Sequence, residues 1–210
     1  MEKKKQKIIN KFCINKTMKK ILLLLLPGVE SMEFSPFLDI FGWNEMLGSK
    51  DIHLELCTLE KEVSSSWNLN LKVEKQIRNI ELRDYIAVVI PGGFGSYHYF
   101  DTIENTEFRS FIQKAKKEEL YILGICTGSI LLASTGYFAN KKMTTYLYEN
   151  GRYSKQLSQY QVEFKNTMIC KDDKLWTSSG PSTAIPMAFD LLEELSSRKN
   201  RKYIEAIMGF

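Results

Sequence analysis

The sequence predicts an α/β fold built on a parallel sheet with helices on both faces. Apolar runs of strand length at Lys20–Leu26, Tyr85–Ile90 and Leu120–Ile125 alternate with amphipathic stretches, the βαβ rhythm of such a sheet. The runs are apolar almost without interruption, as strands buried on both faces require. Two of them stop at sharp turns, Pro91-Gly92-Gly93 and Cys126-Thr127-Gly128.

Taken in order, the first strand is Lys20–Leu26, and a helix follows over about 33–47 with Phe37, Ile40, Phe41 and Met46 on its inner side. His53–Leu59 reads as the next strand. Residues 63–80 are polar and weakly periodic, which suits a small hairpin. Tyr85–Ile90 is a strand, 106–117 a helix, Leu120–Ile125 a strand and 129–135 an apolar helix. Strand-like pieces occupy 142–146, 161–169 and 174–178. A strong helix spans 182–195, capped by Ser182 or Thr183, and a short one closes the chain at 200–208.

The length of 210 residues suits one domain with a short extension, and an apolar fraction of 44% supports a core without staples. We expect a basic, disordered extension over residues 1–18 and a single domain over 19–210. The net charge of +4 comes largely from lysines in the first twenty residues; such a tail favours solubility over nucleic-acid binding. Lysines followed by Ile21–Leu26 imitate a signal peptide, but six apolar residues are too few for its core or for a membrane span. The four cysteines, Cys13, Cys57, Cys126 and Cys170, show no C-x-x-C spacing, and only two histidines accompany them. Neither a zinc site nor a disulfide framework is expected, and free thiols suit a cytoplasmic protein.

In parallel sheets chemistry gathers at the carboxyl ends of the strands. Three features fall there: Gly28 to Glu33, Gly92-Gly93, and Cys126. Gly124-Ile125-Cys126-Thr127-Gly128 has the form G-x-C-x-G between a strand and a helix. Small flanking residues let the middle one hold a strained conformation with its side chain presented over the sheet edge. The positive end of the following helix is expected to lower the thiol pKa. The Thr127 N–H points where an anion would develop. The alternative is a buried, inert cysteine, which is the reading for Cys13, Cys57 and Cys170.

At these residues the chain resembles the ThiJ/PfpI (DJ-one) superfamily, of the flavodoxin-like, class I glutamine amidotransferase-like fold. The resemblance is carried by LLLLLPGVESMEF (22–34), VVIPGGFGS (88–96), ILGICTGSILLASTGYFANKKMTT (122–145) and SSGPSTAIPMAFDLLEEL (178–195). The third piece looks closest to the isonitrile hydratase branch. The resemblance implies an acidic side chain against Cys126, here Glu33; that position is Asp in the isonitrile hydratase branch and Glu in the DJ-one branch. Glu30 beside it reads as solvated. The resemblance also implies that Gly93 and Thr127 supply backbone N–H groups to an oxyanion hole, and that the protein is a homodimer. Thr127 stands where many relatives carry histidine, and Tyr146 follows Thr144-Thr145 where others do. No Cys–His dyad is readable, which argues against protease chemistry.

Two functions follow. In the first, Cys126 attacks an isonitrile or a reactive carbonyl, Glu33 shuttles the proton, and Tyr97, Tyr99, Phe100 and Tyr146 offer an aromatic pocket, Tyr97 and Tyr146 foremost. The partner is then a small molecule, without nucleic acid, membrane, metal or organic cofactor. In the second, the protein is a redox-sensing or stress-response protein in which Cys126 oxidises and Glu33 stabilises the product.

Overall fold

The structure, a computed structural model, describes residues 18–148 and 150–210. The basic extension and Cys13 therefore lie outside the described residues, Met18 excepted. A six-stranded sheet runs β2-β1-β5-β6-β10-β9. Its strands are β1 (Lys19–Leu25), β2 (Ile52–Thr58), β5 (Ala87–Ile90), β6 (Tyr121–Ile125), β9 (Ile169–Asp172) and β10 (Leu175–Ser178). Five are parallel; only the edge strand β9 runs antiparallel, against β10. The predicted sheet is thus mostly parallel.

The leucine run explains the centre of the sheet. Ile21 to Leu26 are all buried, and the strand period of two sends them to opposite faces. Leu22, Leu24 and Leu26 join Val88, Ile90 and Phe111 on one face. Ile21, Leu23 and Leu25 join Phe37, Phe41 and Leu191 on the other. Each such side chain contributes about 1.5–3 kcal/mol by leaving water, so truncating Leu24 to alanine is expected to cost about 2–5 kcal/mol.

The second face is covered by α1 (Ser31–Leu47), α5 (Ala184–Leu195) and α6 (Arg198–Met208), the first by α2 (Thr106–Lys117) and α3 (Gly128–Ser134). The Asn105 side chain caps α2 by accepting the Phe108 N–H at 2.8 Å, and Ser197 caps α6 through the Asn200 N–H. Two-residue strands β7 (Lys142–Met143) and β8 (Glu163–Phe164) pair with each other, and β3 (Glu62–Ser64) and β4 (Asn70–Lys72) form the small hairpin expected in 63–80.

Several expectations shift. The stretch 161–169 is not one strand but β8 and the start of β9. Neither Ser182 nor Thr183 caps a helix directly: Pro181–Thr183 is a 3-10 turn ahead of α5, in which the Thr183 hydroxyl donates to the Gly180 carbonyl. Met46 lies outward, 58% exposed. A short helix not anticipated, α4 (Arg152–Leu157), packs against α3.

Candidate functional site

β1, β5, β6 and β10 all end at one edge of the sheet, since Ile90 aligns with Gly124 and Ile125 with Ser178. Cys126 is the first residue beyond β6 and adopts φ +53°. A non-glycine residue there carries strain of about 1–3 kcal/mol. The surroundings hold it in place. The Cys126 N–H continues the sheet ladder by donating to the Ser178 carbonyl at 2.7 Å. The Cys126 carbonyl accepts from the Ser129 hydroxyl at 2.5 Å and the Thr145 hydroxyl at 3.0 Å. The glycines of the motif have a steric reason: a Cβ on Gly124 would stand 2.9 Å from the Ser129 Cα, and one on Gly128 would stand 2.3 Å from the Ile90 carbonyl oxygen. Only glycine lets α3 leave the sheet so sharply.

Glu33 sits in the first turn of α1 and is fully buried. The loop that delivers it is tied to the Pro91-Gly92-Gly93 turn, with the Glu30 N–H donating to the Gly92 carbonyl at 2.9 Å and the Phe94 N–H to the Gly28 carbonyl at 3.0 Å. The Gly92 N–H then donates to Glu33 Oε2 at 2.5 Å. The Cys126 thiol and the Glu30 carboxyl also act on the same carboxyl. Burial first, and the charge of Glu30 second, push Glu33 up to about 8, against the downward pull of the thiol and the Gly92 N–H. Among the described residues, no cation is one of the groups that act most strongly on it. Glu33 is therefore a neutral acid at pH 7.

The Cys126 thiol is also pushed well up, first by burial and then by Glu33, while the Thr127 N–H pulls it down. This corrects the expectation of a thiol lowered by the helix end: desolvation and the adjacent acid outweigh the seven-residue helix α3. Gly93 and Thr127 are brought together as expected, but not as two open donors. The Gly93 N–H donates to Thr127 Oγ1 at 2.9 Å, and the Thr127 hydroxyl donates to the Gly93 carbonyl at 2.9 Å. The Thr127 N–H is directed at sulfur.

Above the thiol lies a cavity of about 150 Å³ lined by Glu30, Gly93, Phe94, Cys126, Thr127, Tyr146, Tyr153 and Pro181. Tyr146 is where the sequence puts it. Tyr97 is not: its ring stands edge-on to Trp67 at 6.0 Å, away from the lining. Tyr99 is fully buried beneath the turn and donates to the Pro91 carbonyl at 2.6 Å, and Phe100 backs Tyr153 from behind. Sequence reasoning missed Glu30, Phe94, Tyr153 and Pro181. Glu30, expected in solvent, is half-buried, and burial raises its pKa. Both histidines are remote: His98 pairs with Asp101 at 3.1 Å and His53 with Glu45 at 2.8 Å. Cys57 and Cys170 are buried away from the cavity.

A thiol on a strained strand-to-helix turn, backed by a neutral carboxyl at the carboxyl edge of a covered parallel sheet, defines a class of α/β proteins. Within it the chain belongs to the DJ-1/PfpI family, whose model matches residues 19–194. It is similar to an isonitrile hydratase of Pseudomonas putida, 27% identical over 82% of this chain and 70% of that protein. It is similar also to a glutathione-independent glyoxalase DJ-1 of Schizosaccharomyces pombe, 27% identical over 86% of this chain and 93% of that one. The crystal structure of Drosophila melanogaster DJ-1beta superposes with a TM-score of 0.78 at 23% identity, covering 91% and 98% of the two chains, and supports the fold. No helix among the described residues is long and apolar enough to cross a membrane.

Proposed function

We propose that this protein is a cysteine-dependent hydratase or lyase acting on an isonitrile or a reactive carbonyl through a covalent Cys126 adduct. The observation that carries this reading is the fully buried Glu33, pinned by the Gly92 N–H beneath a small cavity lined by Cys126, with burial favouring its protonated form. A neutral acid beside sulfur removes the charge repulsion that a thiolate would otherwise meet, and it holds the proton that the adduct needs. With an isonitrile, sulfur adds to the terminal carbon and the Glu33 proton is delivered to that carbon, giving a thioimidate; the thiol proton leaves to water, and water restores the proton of Glu33. Water then adds to the same carbon, the carbon–sulfur bond breaks, and a formamide leaves with the thiol restored. With a 2-oxoaldehyde, sulfur adds to the aldehyde carbon to give a hemithioacetal. A proton shift from that carbon to its neighbour gives a thioester, which water cleaves to a 2-hydroxy acid and free thiol. Neither sequence needs an external oxidant or reductant. The Thr127 N–H stabilises charge at sulfur, and Gly93 contributes once the Thr127 hydroxyl turns away.

The test is turnover of simple isonitriles and of methylglyoxal by wild type, Cys126→Ala and Glu33→Gln. Turnover by wild type that Cys126→Ala abolishes, with a trapped adduct mass on Cys126, supports the reading. Absence of turnover with both substrates, together with selective oxidation of Cys126 by mild peroxide, would replace it with the redox-sensing reading. We also propose a homodimer. Helix α1 is apolar outside as well as inside: Met32 and Met46, fourteen residues and so two heptads apart on one side of the helix, are both 58% exposed, a pattern suited to burial by a partner. Light scattering of Met46→Glu against wild type tests it, with a shift toward monomer expected.

A further inference from the structure

Glu33 has an access problem. Its side chain is fully buried and does not line the cavity, whereas Glu30 does. Glu33 Oε2 is occupied by the Gly92 N–H, and Oε1 is buried with no hydrogen-bond donor among the described residues. The cavity below which Glu33 lies is lined by the two groups that act on its carboxyl, the Cys126 thiol and Glu30, and Glu30 is joined to Glu33 one turn away through the Glu33 N–H, which donates to the Glu30 carbonyl at 3.1 Å. This is the arrangement of a relay, and only Glu30 of the three carries a carboxyl to the cavity surface.

We propose that Glu30 is the proton carrier between Glu33 and the cavity water, and so a second functional acid of this site. Its position is fixed by the backbone: the Glu30 N–H donates to the Gly92 carbonyl at 2.9 Å and its carbonyl accepts the Glu33 N–H at 3.1 Å. The Glu30 side chain makes no cap on α1, although the residue occupies the N-cap position. The carboxyl is thereby left for the cavity and for Glu33. The steps balance. When the Glu33 O–H bond breaks to protonate an adduct, the Glu30 carboxylate takes a proton from cavity water and passes it to the Glu33 carboxylate. When the thiol proton must leave, the same path runs outward. No electron is transferred at any stage.

The turnover role rests on the reaction proposed above, but the relay itself is measurable without substrate. In the full chain transferred to D2O, the infrared carbonyl band of the Glu33 acid, identified by its loss in Glu33→Gln, reports exchange of that one proton. Wild type is expected to exchange within the mixing time. Glu30→Gln, which keeps size and hydrogen bonding but cannot pass a proton on as a carboxyl does, is expected to slow exchange about tenfold or more. Glu30→Asp, which keeps the carboxyl, is expected to stay within reach of wild type. Acetate is expected to speed exchange in Glu30→Ala by entering the space left behind. Equal exchange in wild type and Glu30→Gln, or equal slowing in Glu30→Gln and Glu30→Asp, would overturn the relay alone. A wild type that lacks the acid band would overturn the neutral Glu33 itself, and the reaction with it.

Discussion

Glu33 and Glu55 are both turned into the protein, yet they stand at opposite ends of the titration range. Burial would raise Glu55 as well, but hydrogen bonds from Lys75 and Tyr85 and the charges of Lys75 and Lys20 bring it down to about 2. Lys75 Nζ lies 2.5 Å and Lys20 Nζ 3.6 Å from the Glu55 carboxylate oxygens. Glu33 receives one backbone N–H, a thiol and another acid. The difference is the arrival of cations. Where they come, the carboxylate is a clamp that ties β2 to residue 75 and to the entrance of β5. Where they do not, it is a stored proton beside sulfur.

Exchanging each acid for its amide sharpens this contrast most. Glu33→Gln is expected to lower kcat by about 10²–10⁴, the range of general acid–base catalysis, and Glu55→Gln to leave kcat near wild type. The stability effects run the other way. Glu55→Gln is expected to cost about 1–3 kcal/mol through lost hydrogen bonds to a charged group, read by urea unfolding at pH 7. Comparable losses of kcat in both variants would break the distinction.

The pH dependence of stability separates the two by sign. Glu33 has a folded pKa of about 8 against 4.5 for an ordinary glutamate, so between those values the folded state holds a proton that the unfolded state has released. Its stabilisation is full below pH 4.5 and is lost as pH rises toward 8, at up to about 1.4 kcal/mol per pH unit. Glu30, Cys126 and Tyr99 face this carboxyl; Glu30 adds to the same trend, while the thiol and the phenol remain protonated through it. Glu55, with a folded pKa of about 2, contributes stability above pH 4.5 that is lost as pH falls through 2. Urea unfolding from pH 5 to 8 is expected to show a decline that flattens in Glu33→Gln. A decline of equal slope in that variant would return Glu33 to the ordinary carboxylate range.

Thr127 offers a smaller lever. Its hydroxyl both accepts from and donates to Gly93, so Thr127→Val breaks the tie between the elbow and the Gly92-Gly93 turn without changing shape much. One such hydrogen bond is worth about 0.5–1.5 kcal/mol, so kcat/KM is expected to fall about threefold to tenfold, with Thr127→Ser close to wild type. An increase in Thr127→Val would mean that freeing the Gly93 N–H matters more than fixing the turn.

What was legible in the sequence was local. The leucine run, the Pro-Gly-Gly turn and the G-x-C-x-G elbow each announce themselves within a few residues, because burial on two faces and close backbone approach restrict the residue types allowed. Glu33 was found through family resemblance; its raised pKa arises first from burial and then from the charge of Glu30, neither of which a short window shows. The thiol pKa was misread because the helix end is visible in sequence and the depth of burial is not. Glu30 reads from the sequence as solvated because the bond that orients its loop reaches across to Gly92. Tyr153 was missed with its helix: α4 spans only Arg152–Leu157 and is mostly polar, so neither periodicity nor propensity marks it.

The pocket wall gives the finest test, since Phe94 and Tyr97 are three residues apart and both lie edge-on to Trp67, at 5.2 and 6.0 Å. Only Phe94 lines the cavity. Both side chains therefore lose the same kind of aromatic contact when changed to leucine, and any common effect on folding cancels between them. Phe94→Leu alone alters the surface that meets a ligand. An aromatic contact is worth about 0.5–1.5 kcal/mol, so kcat/KM of Phe94→Leu is expected to fall a few-fold, mainly through KM, while Tyr97→Leu stays near wild type. Equal loss in the two variants would place the effect in the Trp67 cluster rather than in the wall above Cys126. Loss in Tyr97→Leu alone would mean that the loop carrying it closes over the bound molecule.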